Sequence, residues 1–225
     1  DCRFVTTYVY GNNNVMFGGG AIGIEYDECD NYNVVITGCT FNNCKSALYP
    51  GGGIAIRTRK SVTITDCIFE KTTRPENKAS RPNLGSVIRV EYYENIGVFQ
   101  VHNVTISNPG RTKGAIPGIY FITNKPASFI TSGINMTQVS SDSDAIAMLS
   151  LMRIDSNISY FECVNSTFDQ KSFTSGYTGA IHLFNLFYLI DRCNFIQNGN
   201  PDHINIHAIA TNNESKKFVD LTISN

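Results

Sequence analysis

The sequence predicts an all-β chain: a right-handed single-stranded parallel β-helix of about seven to eight coils, with three short strands per coil. Three observations predict it. A short cassette returns eight times, a Gly/Asn/Asp corner stands at a fixed offset before it, and an alternating apolar stretch opening with glycine lies further upstream.

The cassettes are Cys2-Arg3-Phe4, Cys39-Thr40-Phe41, Cys67-Ile68-Phe69, Val104-Thr105-Ile106, Ile134-Asn135-Met136, Ser166-Thr167-Phe168, Cys193-Asn194-Phe195 and Leu221-Thr222-Ile223. Their third positions are 37, 28, 37, 30, 32, 27 and 28 residues apart, at the low end of the range for repeat folds. Apolar, variable, apolar on a strand places the first and third side chains on one face, so both positions are expected inside.

Five residues before each third position, from the second cassette on, stand Ile36, Ile64, Val101, Thr131, Cys163, Ile190 and Phe218, which mark an earlier strand. Between the two strands stand Gly38, Asp66, Asn103, Gly133, Asn165, Arg192 and Asp220. All but Arg192 belong to the set that tolerates positive φ, so a bend is expected there. Two residues after the third position runs a polar column of Thr6, Asn43, Lys71, Asn108, Gln138, Gln170, Gln197 and Asn225. Amides at equivalent places in stacked coils form ladders.

The third strand is read from Gly20 to Ile24, Gly53 to Ile56, Gly85 to Val90, Gly118 to Ile122 and Gly179 to Leu183. Asp144 to Met148 and Ala208 to Ala210 are degenerate copies. Stacking the coils at about 4.8 Å gives a rod of roughly 34 Å. Length varies at Thr72 to Leu84, Ser107 to Pro117 and Gln138 to Ser143, where loops bulge from a rod without disturbing it.

A chain that is 42% hydrophobic and 16% charged can bury a continuous core. No heptads and no unbroken apolar run of 18 residues occur, which argues against a coiled coil and a membrane-inserted helix. A net charge of −1 gives no reason to invoke nucleic acid. Arg57, Arg59 and Lys60 form the one basic cluster, read as a solvated strand end. The sequence opens and closes inside a cassette, and no polar cap follows Leu221-Thr222-Ile223. Residues 1–225 are therefore expected to be one domain cut from a longer solenoid, with any signal and anchor outside it.

Of the seven cysteines, Cys2, Cys39, Cys67 and Cys193 share the inward column and Cys163 the neighbouring one. Cys29 and Cys44 fall at loop and corner positions. Packed thiols are favoured over disulfides in the inward column, where a thiol behaves as a small hydrophobe. No Cys or His spacing points to zinc, and no cofactor is expected. Glycosylation sequons begin at Asn103, Asn135, Asn157, Asn165 and Asn213. Asn103 and Asn165 occupy the corner column and should be exposed.

Many parallel β-helices cleave acidic polysaccharides, using paired carboxylates or a base beside bound calcium. The best carboxylate pair here is Asp142 and Asp144, in a Ser/Asp stretch that a solvated turn explains better than a metal or catalytic pair. Glu91 and Glu25 are further candidates if different coils converge on one face. Glu25, Asp27 and Glu28 otherwise read as part of a polar loop. His182 alternates with Ile181 and Leu183 and reads as a surface residue. His203 and His207 sit at strand spacing, which separates their imidazoles.

Gly19-Gly20-Ala21-Ile22 followed by Phe41, and Gly179-Ala180-Ile181 followed by Phe195-Ile196-Gln197-Asn198, resemble the paired Gly-Gly-Ala-Ile and Phe-x-x-Asn motifs of polymorphic outer-membrane protein repeats. Cys44 and Thr72 stand where the Asn is expected after Phe41 and Phe69. The resemblance implies a non-enzymatic, extracellular or cell-surface β-helix of adhesion and antigenic display, with no catalytic residues to carry over. The Asn-Thr-Asp, Asp-Asp, Gly-His-Gly and Arg-Ile-Lys set of polygalacturonase-like β-helices is missing. A host-cell or extracellular glycan or protein is the expected partner, and Tyr26, Tyr92, Tyr93 and Tyr120 are the candidate sugar-stacking rings. A polysaccharide lyase or hydrolase, and a passive structural stalk, are the alternatives.

Overall fold

The computed structural model describes residues 2–5, 8–9, 20–25, 33–46, 51–72, 87–92, 97–107, 118–137, 147–153, 160–169, 179–184, 187–196 and 204–209. Within them every strand is paired in parallel, and the sheets stack as a β-solenoid. The first sheet holds the cassettes: Arg3–Val5, Thr40–Asn42, Ile68–Glu70, Thr105–Ser107, Asn135–Thr137, Thr167–Asp169 and Asn194–Ile196. The second holds Val34–Thr37, Val62–Thr65, Gly97–His102, Ala127–Ser132, Tyr160–Val164 and Phe187–Asp191. The third holds Ile22–Glu25, Ile54–Thr58, Ile88–Tyr92, Ile119–Thr123, Ala147–Arg153, Gly179–Phe184 and Ile204–Ile209. The short pair Tyr8–Val9 with Lys45–Ser46 was not anticipated by the repeat. The eighth cassette, with Phe218 and Asp220, lies outside the described residues.

Register follows the cassette. Phe4, Phe41, Phe69, Ile106, Met136, Phe168 and Phe195 share one row. Their rings stack face to face at centroid distances of 4.9 Å for Phe4 and Phe41, 4.4 Å for Phe41 and Phe69, and 5.5 Å for Phe168 and Phe195. A second aromatic column runs through the second sheet, with Phe99 on Phe129 at 4.7 Å and Phe129 on Phe161 at 5.4 Å. Phe121 of the third sheet reaches across the interior to both Phe99 and Phe129. Each such buried ring contributes roughly 1.5–3 kcal/mol.

The corner residues behave as their types predict. Gly38, Asp66, Asn103, Gly133 and Asn165 all have φ between 50° and 64°. Arg192 adopts the same left-handed conformation at 50° although its type disfavours it. The corner amides of Gly38, Asp66, Asn103, Gly133 and Asn165 each donate to a carbonyl of the following coil at 2.9–3.1 Å, so the ladder runs through the bend. Asn43 and Lys71 form a second left-handed corner after the cassette. This corrects the amide-ladder expectation for the two described members of that polar column. The side-chain ladder lies instead at the first corner, where Asn103 Nδ2 donates to Asp66 Oδ1 at 3.1 Å.

Four of the six described first corners are followed by a small donor that reaches back to the carbonyl two residues earlier. Cys39, Cys67 and Cys193 Sγ donate to Thr37, Thr65 and Asp191 O at 3.2–3.4 Å, and Ser166 Oγ to Val164 O at 2.9 Å. After the second corner Cys44 Sγ does the same to Asn42 O, and Thr72 Oγ1 to Glu70 O. Cys44, read as a corner residue, stands beside the Asn43 corner and is buried, and Cys44 and Thr72 replace the motif Asn with another buried donor. Cys2, by contrast, is exposed, because no described strand lies beyond its own in the first sheet.

Glycine before the third strand has a packing cause. A Cβ on Gly53 would lie 3.0 Å from two atoms of the Phe69 ring, so the glycine makes room for the cassette phenylalanine. Two third-strand readings are corrected. The sixth-coil strand is Ala147–Arg153, with Leu149 in the row of Ile119 and Ile181, rather than residues 144–148. The last described strand begins at Ile204 with Ile206 opposite Ile181, rather than at Ala208. In both, the ladder selects the alternation that matches the existing row.

Phe69→Ala is expected to cost about 3–5 kcal/mol by denaturant unfolding, whereas Ile68→Ala, on the exposed side of the same strand, should stay within about 0.5 kcal/mol. Gly133→Ala should destabilise by about 1–2 kcal/mol, since its Cβ would meet Asn103 Oδ1 at 2.6 Å. Arg192→Gly should stabilise by up to about 1 kcal/mol in the same assay.

Candidate functional site

Alternation gives each sheet an outward face, and the three faces differ chemically. On the third sheet, Glu25, Arg57 and Glu91 occupy one outward row, with Arg89 two residues before Glu91. Arg57 Nη1 donates to Glu25 Oε1 at 2.5 Å and Arg57 Nε to Glu91 Oε2 at 3.2 Å, while Arg89 closes on Glu91 Oε1. The Glu91 side chain is only 1% exposed. Both oxygens of that carboxylate are engaged by guanidiniums. Glu91, a catalytic candidate in the sequence, stands at the centre of a buried ion-pair network. Glu25 and Arg57 belong to that network rather than to a solvated loop and strand end.

The same face corrects two sugar-stacking candidates. Tyr92 turns inward, is 1% exposed, meets Phe121 edge-on and donates its hydroxyl to Val98 O at 3.1 Å. Burial raises its pKa above the ordinary tyrosine value. Tyr120 sits at an outward position yet is fully buried, with the Arg89 guanidinium 5.4 Å from its ring centre. Neither ring offers a face to solvent. His182, expected at the surface, is also buried. Tyr26, Tyr93, Asp142, Asp144, Asp27, Glu28, Cys29, His203, Asn157 and Asn213 lie outside the described residues. His207 is described only as a member of its strand, opposite His182.

The first sheet's outward row is polar, with Thr40, Ile68, Thr105, Asn135, Thr167 and Asn194 in register. Asn103, Asn135 and Asn165 are all exposed on this face or at its corner, as the sequon reading requires.

The second sheet turns a mixed apolar and polar face outward. Val35, Thr63, Gln100, Ile130, Glu162 and Leu189 share one row. Two residues earlier, Val98, Ser128, Tyr160 and Phe187 share another. Tyr160 is 36% exposed, Phe187, Ile130 and Leu189 are half-buried, and Val35 is 65% exposed. Tyr160 donates its hydroxyl to Glu162 Oε2 at 3.2 Å. Its pKa is raised by partial burial first and by the Glu162 charge second. Two aromatic rings one rung apart, with the Glu162 carboxylate beside them, suit the apolar face and hydroxyls of a sugar ring. On the same sheet His102 Nδ1 lies 2.7 Å from Ser132 Oγ. Among the described residues no carboxylate is hydrogen-bonded to that imidazole, so the third member that orients a nucleophile's base is lacking.

Tyr160 and Phe187 were missed because they are 27 residues apart and neither stands in a tyrosine cluster. The usable signal was parity: in Tyr160-Phe161-Glu162-Cys163, the inward Cys163 and Phe161 send Tyr160 and Glu162 outward. Among the described residues no group of three His, Cys, Asp or Glu side chains is placed to hold a metal ion, and no helix is long and apolar enough to cross a membrane. No family model, curated protein or solved structure matches the chain.

Removing the network centre tests its structural role. Glu91→Ala should cost about 3 kcal/mol or more by leaving two half-buried guanidiniums without this carboxylate. Glu25→Ala, at the solvent end, should cost under about 1 kcal/mol. Urea unfolding of both variants distinguishes them.

Proposed function

We propose that the chain is part of a secreted or cell-surface β-helix that binds an extracellular glycan through the outward face of its second sheet. The rod is right-handed, has seven to eight coils of three strands, and is similar in kind to the polymorphic outer-membrane protein repeats. The observation that carries the glycan reading is the Tyr160, Phe187 and Glu162 group: exposed or half-exposed rings with a carboxylate at hydrogen-bonding range. Placement of the sequons supports it. Glycans on Asn103, Asn135 and Asn165 would cover the first sheet and its corner and leave the middle of the second sheet clear. The burial of Glu91 between two arginines weighs for adhesion and display over chain cleavage.

A glycan array probed with the purified chain should show a binding class that Tyr160→Ala and Glu162→Gln each weaken by about fivefold or more, while Tyr120→Phe leaves it unchanged. Binding that survives the Tyr160 and Glu162 changes, or shortening of uronic-acid polymers by the wild-type chain, overturns the reading.

A further inference from the structure

Several polar groups gather in the core of the rod between the fifth and seventh strands of the first sheet. There the buried hydroxyls of Thr131 and Ser166 and the thiols of Cys163 and Cys193 come together. Thr131 Oγ1 donates to Glu162 O at 3.1 Å, and Ser166 Oγ accepts from the Ile134 amide at 3.1 Å while donating to Val164 O. Cys163 belongs to the inward column of the second sheet, and Cys193 opens the next cassette. Their sulfurs are 3.6 Å apart, the one sulfur–sulfur hydrogen-bond contact among the described residues. Cys193 Sγ also lies 3.4 Å from Cys163 O.

We infer that Cys163 and Cys193 are a built-in dithiol that closes to a disulfide under oxidising conditions and ties consecutive coils together. The gap to a bonded length of about 2 Å is within reach of side-chain rotation. Cys39 and Cys67 make no such contact among the described residues; their thiols donate to carbonyls instead, Cys39 to Thr37 O and Cys67 to Thr65 O and Ile36 O.

The two sulfurs are differentiated for the chemistry. Cys193 is half-buried, and its hydrogen bond with Cys163 holds its thiol below the ordinary value, which favours the thiolate there. Cys163 is fully buried and pushed well above the ordinary thiol value, first by its hydrogen bond with Cys193 and then by burial. Cys193 is therefore the attacking group. With a disulfide oxidant such as oxidised glutathione, Cys193 thiolate attacks one glutathione sulfur and releases the other half as thiolate. Cys163 then attacks the Cys193 sulfur, its proton passing to the departing glutathione. The Cys163–Cys193 bond forms, the mixed disulfide breaks, and two thiols are oxidised as one glutathione disulfide is reduced to two glutathiones.

The test uses the whole chain, purified reduced, equilibrated natively in a glutathione redox buffer, blocked with N-ethylmaleimide, digested and mapped by mass spectrometry. A peptide pair joined through Cys163 and Cys193 is expected, with a melting temperature roughly 5–10 °C above the reduced protein that returns on addition of dithiothreitol. Cys193→Ser should abolish both the link and the redox-dependent shift, and it copies the residue already present at Ser166 in that column. Cys39→Ala should leave both intact. Both cysteines alkylated after native oxidation, a link mapped to another pair, or a redox-dependent shift that persists in Cys193→Ser overturns the inference; the peptide map decides even if a variant fails to fold.

Discussion

In-register parallel pairing between coils is the constraint on which the rest of this structure depends. Each residue stacks on its equivalents in the coils before and after, so every interior row must hold side chains of compatible size. The cassette row satisfies this with five phenylalanines, an isoleucine and a methionine. A slip of one residue would turn a whole strand's apolar set to solvent, which is why the third-sheet strand of the sixth coil keeps Leu149 and Leu151 in the rows of Ile119 and Phe121.

Parallel stacking also dictates the bends. Short strands can turn into one another without breaking the inter-coil ladder only if one residue adopts a left-handed conformation, and the same solution recurs at each described first corner. The tight bend leaves a carbonyl facing inward two residues before the next inward side chain. A thiol or hydroxyl there satisfies it, and Val104 or Ile134 fills the same position by size alone. This explains a cysteine-rich column without metal ligation. Cysteine is small and buriable, and it is a weak donor that a packed interior tolerates.

The register that orders the interior also assembles the outer faces from distant residues. Glu25, Arg57 and Glu91 come from three coils, as do the polar residues of the sequon-bearing face. Tyr160 and Phe187 meet because their strands are neighbours in the second sheet. The proposed sugar face and Cys163 draw on the same strand, Tyr160–Val164. Glu162 faces out between Phe161 and Cys163, which face in, so a disulfide there would brace the strand that presents Tyr160.

Local period and residue type were sufficient to determine the three strands, the corner positions, the stacked phenylalanines and the exposure of Asn103 and Asn165. These depend on alternation and on the φ each residue type tolerates, both of which are properties of short segments. Burial on the outer faces was not legible. Tyr120, His182 and Glu91 stand at outward parity and are nonetheless buried, because exposure depends on what the rest of the chain packs over a strand as well as on its alternation. Nor was the contact of sulfurs legible, since it lies between two different columns. The sequence by itself determined which side chains face inward and where the chain bends; tertiary structure decided which outward groups stay in water and which inward groups touch, because both depend on side-chain placement between coils that no single segment encodes.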